Sequence, residues 1–564
     1  MKKDLLIIAA LIGLVVVFWL PAIFNWLPLL GDDYIYHHFP IKALYAQSLK
    51  QGTLPWWDPQ TFCGAWPIIH RPDGGPYYLP DYPFLLLTDL SNLDQAADLL
   101  VQLPLLLHYL LMAVGAYLLG RIGLRLNRIG SVVLSVAYTM SPAVNYLVFA
   151  ASIATLNAWL PLLWLFLILF VRRGGLRFVA LGGLVFALQI SGAGFGHMIR
   201  GWTFTGFLLA GLAFKALIEG RWIRLRRVVV GGVATIALGV ILSAPVWLGV
   251  LEGYRSLDAS GVVTFQTVAG GSNSLQPGYL VTLLVPNLFG TVIGEHGWGV
   301  GLNVLFDQAN LLGGVLLVLL AGAGLIAAFR APGAPERFWI YLSGAGVVLG
   351  LFLVIGRHSP VYRLLFQLLP PFRVPYAGRW RDFQCYSMVI LTASAASLLT
   401  GNRIRIRVIN RLTVTIFALL AAAIVAAAAL LPFHWNGAWF QPGIAYASAS
   451  GELNEILNDL VPYLLFCLVV LAAIWALRRR RVSLLIAGVL VELTIFGWQA
   501  FYLHRDWFGD DPLITRYSRF SETPLAKVVG MDFRESPREE GLYRTAFYRS
   551  RLANSAWLTG GLSL

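Results

Sequence analysis

Residues 5–40 read LLIIAALIGLVVVFWLPAIFNWLPLLGDDYIYHHFP: an apolar run from Leu5 through Trp26 breaks at Gly31 into Asp32-Asp33-Tyr34-Ile35-Tyr36-His37-His38. About 20 predominantly apolar residues cross a bilayer as a helix, so the run predicts a span and puts the polar residues behind it at the membrane edge. Two carboxylates and two imidazoles at that depth point to function, because ionisable groups there are costly. The bland alternative is a polar cap on the first helix at the headgroups. Met1-Lys2-Lys3 ahead of the run imitates a signal peptide. No small-residue cleavage site follows, and the run continues through Trp19, Pro21 and Trp26, which predicts an uncleaved first helix.

Runs of the same kind recur along the chain. They predict about thirteen spans: 5–28, 96–120, 129–150, 154–171, 177–193, 199–218, 228–250, 308–329, 338–356, 383–400, 412–432, 459–477 and 482–503. The composition agrees. Of 564 residues 58% are hydrophobic and only 12% charged, with a mean hydropathy of +0.71, whereas soluble domains carry about 25% charged residues. The fold class is all-α polytopic membrane protein. Cys63, Cys385 and Cys467 are scattered and fit neither a disulfide framework nor a metal motif.

The formal charge of +14 sits mostly in short loops. Arg121, Arg125 and Arg128 share one; the next are Arg172, Arg173 and Arg177, then Arg221 to Arg227, Arg330 and Arg337, Arg403 to Arg411, and Arg478 to Arg481. Every second connection is basic, which is the signature of cytoplasmic loops rather than of a nucleic-acid surface. The alternation predicts a multi-pass cell-membrane protein with its N-terminus cytoplasmic and its C-terminus external. It divides the chain into a transmembrane domain, 1–503, with external loops 29–95, 252–307 and 357–382, and a small external segment, 504–564.

The chemistry-bearing residues lie in the external loops. A carboxylate at Asp32 or Asp33 can act as a general base or hold a metal. Neighbouring residues cannot both point at one atom, so one is expected to be catalytic and the other structural. The stretch from Gly52 to Pro83 is dense in Pro, Gly, Trp and Tyr and includes His70, Arg71 and Asp81. It predicts a stiff folded loop whose aromatic faces and polar rims suit a sugar or a headgroup; the alternative is an aromatic interface belt. Ile41 to Gln51 has helical periodicity and is expected to lie along the interface. Loop 357–382 is basic yet external, so Arg373 and Arg379 call for an anionic partner such as a phosphate. His197 and Arg200 stand where two helices meet, and Arg255 opens the second loop. Glu492 falls mid-span and reads as a protonated or interhelical hydrogen-bonding group rather than a catalyst.

In order and spacing these residues resemble the YfhO-like bacterial membrane proteins of the GT-C glycosyltransferase superfamily. The matching pieces are Asp33 with Pro40, Gly52-Thr53-Leu54-Pro55-Trp56-Trp57-Asp58-Pro59, Gly64, Tyr82-Pro83, Gly196-His197, Pro286-Asn287-Leu288-Phe289-Gly290, and Phe372-Arg373-Val374-Pro375 with Arg379-Trp380. The resemblance implies inverting transfer of a sugar from a polyprenyl-phosphate donor to a lipid, cell-envelope polymer or protein acceptor on the external face. Asp33 would be the catalytic base, with Asp32 the less favoured register. His37, His38, His70, Arg71, Asp81, His197, Arg255, Arg373 and Arg379 are the candidates for substrate binding. The residues name no sugar, acceptor or cofactor, and a divalent cation at the carboxylates is compatible with them. Family members continue into a larger external region of which Leu542-Tyr543-Arg544 resembles the beginning. The competing expectation is a lipid or polysaccharide transporter, which would show inverted repeats and ionisable groups near the membrane midplane.

Overall fold

The structure, a computed structural model, describes residues 2–24, 38–54, 77–141, 151–193, 195–256, 263–270, 273–275, 277–283, 311–401, 482–502, 543–545 and 561–563. The described part is almost wholly helical. Seven of its helices are long and apolar enough to cross a membrane: Lys2–Ile23, Asp94–Leu124, Ile153–Arg173, Met198–Ile218, Trp222–Leu242, Arg337–Val354 and Ala377–Thr400. Shorter apolar helices run over Leu176–Gly192, Leu316–Arg330 and Leu485–Ile495. This is an all-α, multi-pass membrane architecture. The spans expected at 412–432 and 459–477 lie outside the described residues. Of segment 504–564 only a short parallel pairing of β1 (Tyr543–Thr545) with β2 (Gly561–Ser563) is described.

In chain order the helices are α1 (Lys2–Ile23), α2 (Phe39–Lys50), α3 (Tyr82–Leu87), α4 (Leu103–Leu118), α5 (Arg128–Thr139), α6 (Ala151–Arg173), α7 (Leu176–Gly192), α8 (Phe195–Ile218), α9 (Trp222–Leu242), α10 (Ala244–Ser256), α11 (Val315–Arg330), α12 (Arg337–Val354), α13 (Pro360–Leu368), α14 (Arg381–Thr400) and α15 (Val482–Tyr502). Wide π-type turns at Asp98–Gln102 and Leu119–Leu124 extend α4 at both ends. The first of them directly precedes Pro104, whose ring offers no N–H to the helical ladder.

α14 is the axis of the bundle, with 94% of its apolar window buried, against 28% for α9. Its sequence explains this. Ser387, Ala393, Ser394, Ala395, Ala396 and Ser397 are small, so neighbouring backbones come close. A Cβ at Gly324 of α11 would lie 2.2 Å from the Ala395 Cβ, and one at Gly130 of α5 would lie 2.7 Å from the Ala393 carbonyl oxygen. On α9, by contrast, Val229, Val230, Val233, Ile236 and Ile241 are exposed, as a lipid-facing surface requires.

The basic connections meet at one end. Asp4 of α1 accepts hydrogen bonds from Arg121 Nε (3.1 Å), Arg128 Nη2 (3.0 Å) and the Tyr117 hydroxyl (2.9 Å). Arg172 donates to the Gly123 carbonyl, and Arg227 to the Arg172 carbonyl at 3.3 Å. The Asn127 amide reaches the Ser397 carbonyl at 3.0 Å, and the Ser397 hydroxyl reaches Glu336 at 3.0 Å. The N-terminus and the loops after α4, α6, α8, α11 and α14 therefore share one face.

Three expectations are corrected. The span at 228–250 is two helices broken at Ser243, because Pro245 has no N–H and its ring disfavours helical backbone just before it. The span at 308–329 starts only at Val315. Gly314 adopts φ +135°, which only glycine tolerates, and the Leu312 backbone N–H and carbonyl are both held by the Gln384 side-chain amide, at 3.1 and 2.9 Å. α2 is packed inside the protein rather than exposed as an amphipathic surface helix: every residue from Phe39 to Ala46 is buried, Lys42 included.

Candidate active site

Lys42 can be buried in α2 because its ammonium meets the Asp81 carboxylate at 2.7 Å. Asp81 ends the turn Leu79–Asp81 that leads into α3, so this ion pair ties two separate parts of loop 29–95 together. Tyr78, in the same turn region, lies against α4 and α6. Its hydroxyl is 2.5 Å from His108 Nε2 and accepts the Trp159 indole N–H at 2.8 Å. His108 Nδ1 is 2.5 Å from the Pro104 carbonyl, an acceptor only, which assigns the proton to Nδ1 and leaves Nε2 to accept from Tyr78. Burial, reinforced by the Asp81 carboxylate, holds the Tyr78 phenol well above its ordinary value, so it stays protonated as this arrangement needs.

A second cluster begins at the start of α14. Asp382 stands between Arg200 of α8, whose Nε is 3.0 Å away, and Arg381, whose Nε is 3.8 Å away, and all three side chains are buried. Aromatic rings close it off from the bundle interior: Tyr386 packs between Tyr138, Trp164 and Phe204. The Tyr386 hydroxyl donates to Asn157 Oδ1 at 2.7 Å and the Tyr138 hydroxyl to the Asn157 carbonyl at 2.8 Å.

The two clusters lie near one level. Asn157 bonds Tyr386, one turn along α14 from Asp382, and Trp159 bonds Tyr78, three residues before Asp81. Two residues along a helix differ by only about 3 Å in height while facing nearly opposite ways. α6 therefore separates two charged clusters at the end of the bundle remote from its own Arg172 and Arg173. That is also the end from which loops 29–95 and 357–382 spring.

Several sequence-predicted residues fall elsewhere. Asp32, Asp33, His37, His70 and Arg71 lie outside the described residues. His38 is buried at the start of α2, one turn from Lys42. His197 falls in the first turn of α8, three residues before Arg200, and Arg255 in the last turn of α10. Arg373 is exposed and donates to the Phe366 and Gln367 carbonyls at 2.9 and 2.7 Å, closing the C-terminus of α13. The half-buried Arg379 guanidinium lies over the Tyr376 ring at 5.3 Å. His358 is held below its ordinary value by burial and by Arg357, whose Nε is 3.1 Å from its Nε2. Asp81 alone of the candidates sits in a fully described charged pair, and its partner Lys42 carried no sequence signal. Arg200 stands out in the sequence where two helices meet, whereas Arg381 and Asp382 do not, and nothing local joins α8 to α14. Among the described residues no three His, Cys, Asp or Glu side chains converge to hold a metal ion.

No family model matches the chain, and no curated protein matches it in sequence. Among solved structures it overlays on ArnT from Cupriavidus metallidurans bound to undecaprenyl phosphate, at 13% identity and a TM-score of 0.49, over 99% of this chain and 85% of that one. The apo form of that enzyme gives 15% identity, a TM-score of 0.46 and coverage of 98% and 85%. The oligosaccharyltransferase of Archaeoglobus fulgidus in the apo form gives 12%, 0.49, and coverage of 99% of this chain and 64% of that one. At TM-scores below 0.5 these likenesses assign no chemistry to this chain.

Proposed function

We propose that the chain is a membrane glycosyltransferase of GT-C type that transfers a sugar from a polyprenyl-phosphate donor to an acceptor hydroxyl at the external membrane face, with inversion. The observation that supports this most is the gathering of buried charge at one end of a lipid-embedded bundle. Arg200, Arg381 and Asp382 on one side of α6, and Lys42 and Asp81 on the other, are held at the level where the first and third external loops begin. Such groups are expensive in a membrane and belong to a site. The motif resemblance built on Asp33, Pro40 and the loop that follows supplies the reaction class.

In this reading the acceptor oxygen attacks the anomeric carbon as the bond from that carbon to the phosphate oxygen breaks. The acceptor proton passes to the Asp33 carboxylate, and polyprenyl phosphate leaves with the bonding pair. A phosphate is already a good leaving group and needs charge stabilisation more than protonation, which guanidiniums provide. Arg379, Arg373 and Arg255 are the proposed donors to that phosphate, and His37, His38, His70, Arg71, Asp81 and His197 line the approach. The acceptor is a lipid, an envelope polymer or a protein.

A general base contributes about 10²–10⁴ in rate. Asp33→Asn is therefore expected to lose that much in a transfer assay with a polyprenyl-phosphate sugar, while expression and folding stay normal, and Asp32→Asn is expected to lose less. Full activity in both variants would remove the base from this pair. A transporter would instead use an ionisable group near the midplane. Glu492, a mid-helix carboxylate among the described residues, is committed to structure: it accepts the Leu316 and Leu317 N–H groups at 3.4 and 3.1 Å, at the first turn of α11.

A further inference from the structure

The face that gathers the basic loops holds a charged cluster the proposed transfer does not use. Arg172, near the end of α6 and next to Arg173, is half-buried and fixed by its bond to the Gly123 carbonyl, two residues before Arg125, while Arg227, one turn from Arg224 on α9, donates to the Arg172 carbonyl at 3.3 Å. Lys215, near the end of α8, shares the Glu219 carboxylate with Arg221 and Arg224. The carboxylate facing this group is Glu219, which lies 3.1 Å from Arg221, 3.6 Å from Arg224 and 4.0 Å from Lys215. Arg125, Arg172 and Arg173 meet no carboxylate among the described residues. With Arg227, seven cations against one anion repel one another at a membrane boundary, where the dielectric screens poorly. Compensating charge from outside the protein would relieve that repulsion.

The surroundings say where that charge comes from. Phe214, Ile218, Trp222 and Ile223 interleave with Lys215, Glu219, Arg221 and Arg224 along the chain and are 65–71% exposed. Bulky apolar side chains exposed at the end of a membrane helix face lipid, and Trp favours the headgroup level. The cations therefore sit at the height of lipid phosphates, beside a surface that acyl chains would cover. Basic hollows between helix ends, with guanidinium forks matched to phosphate oxygens, take anionic lipid headgroups.

We propose that the ends of α6, α8 and α9, with Arg125, form a binding site for the phosphate of an anionic glycerophospholipid. The headgroup lies among Arg125, Arg172 and Arg224, and the acyl chains lie along Phe214, Ile218 and Trp222. The site is distinct from the proposed transfer site, at the opposite end of the bundle, and does not depend on that activity.

The test uses the full-length protein in phosphatidylcholine nanodiscs carrying a small fraction of phosphatidylglycerol, with bound lipid counted by native mass spectrometry. Phosphatidylglycerol is expected to be retained over phosphatidylcholine. At the usual contribution of one cation near a membrane surface, Arg125→Gln with Arg224→Gln should weaken retention about thirtyfold, and the exposed Arg173→Gln alone about fivefold. Arg226→Gln with Arg330→Gln removes equal charge from helix ends of the same face, at residues outside the cluster, and should cost less than about threefold. An equal loss in that control would reduce the effect to general attraction and overturn the site. So would displacement of the lipid by inorganic phosphate at like concentration, which would mark a soluble-anion site, or retention that ignores headgroup charge. If the double variant fails to fold, unchanged retention in Arg173→Gln overturns the proposal by itself.

Discussion

Asp382 has guanidiniums on both sides, Arg200 at 3.0 Å and Arg381 at 3.8 Å, and water reaches none of the three side chains appreciably. Burying charges costs several kcal/mol each, offset only while the partners stay together; removing one partner typically costs about 3–5 kcal/mol. Asp382→Asn keeps the shape and deletes the charge, so it is expected to destabilise the detergent-solubilised protein by about that amount in an unfolding titration. Arg200→Met combined with Asp382→Leu should cost clearly less than the two single changes summed, since it leaves fewer stranded charges. A loss below about 1 kcal/mol in Asp382→Asn would mean the three groups are not electrostatically coupled. At this scale the sequence was only half legible. Asp81 was visible as a candidate because it sits among Pro, Tyr and Trp in an external loop, whereas Lys42 looked like one polar position on a surface helix. What makes Lys42 part of a site is a carboxylate 39 residues away in sequence, and no local pattern encodes that meeting.

Helices were far more legible than their junctions, because hydropathy measures the length of a span and says little about how it is interrupted. The span expected at 383–400 appears as α14, but its centrality comes from its small residues and not from its hydropathy, which at 1.3 is the lowest of the seven windows. The boundaries that moved did so at Pro245 and Gly314, where one residue overrides a continuing apolar run. The close approach of α11 to α14 has a direct test within one helix. Gly324 has the Ala395 Cβ 2.2 Å from where its own Cβ would be, while Gly322, two residues earlier, has nothing within 4 Å. Gly324→Ala is expected to destabilise by about 1–3 kcal/mol through overpacking. Gly322→Ala should be neutral or stabilise by up to about 1 kcal/mol through helix propensity. Thermal unfolding of the two variants side by side checks this; equal effects would show that α11 and α14 do not pack through this pair.

For the molecule as a whole, the alternation of basic loops predicts which connections share a side, and the contacts of Asp4, Arg121, Arg172, Arg227 and Asn127 do gather the described ones at a single end. Which compartment that end faces is a separate matter, and the positive-inside bias is its physical ground: cationic loops of this length stay on the cytoplasmic side. On the proposed orientation Arg173 is inside, which puts Tyr376 at the other end outside, together with the level of Asp382 and Asp81 at which transfer is proposed. Cysteines placed at these two exposed positions, with Cys63 and Cys467 replaced by serine and the buried Cys385 left in place, report the orientation directly. In intact cells a membrane-impermeant maleimide is expected to label Tyr376→Cys and to reach Arg173→Cys only after permeabilisation. The reverse pattern would put the basic face outside. The carboxylates of the first loop would then face the cytoplasm, and transfer at the external face would fail as a reading even though every helix stayed in place.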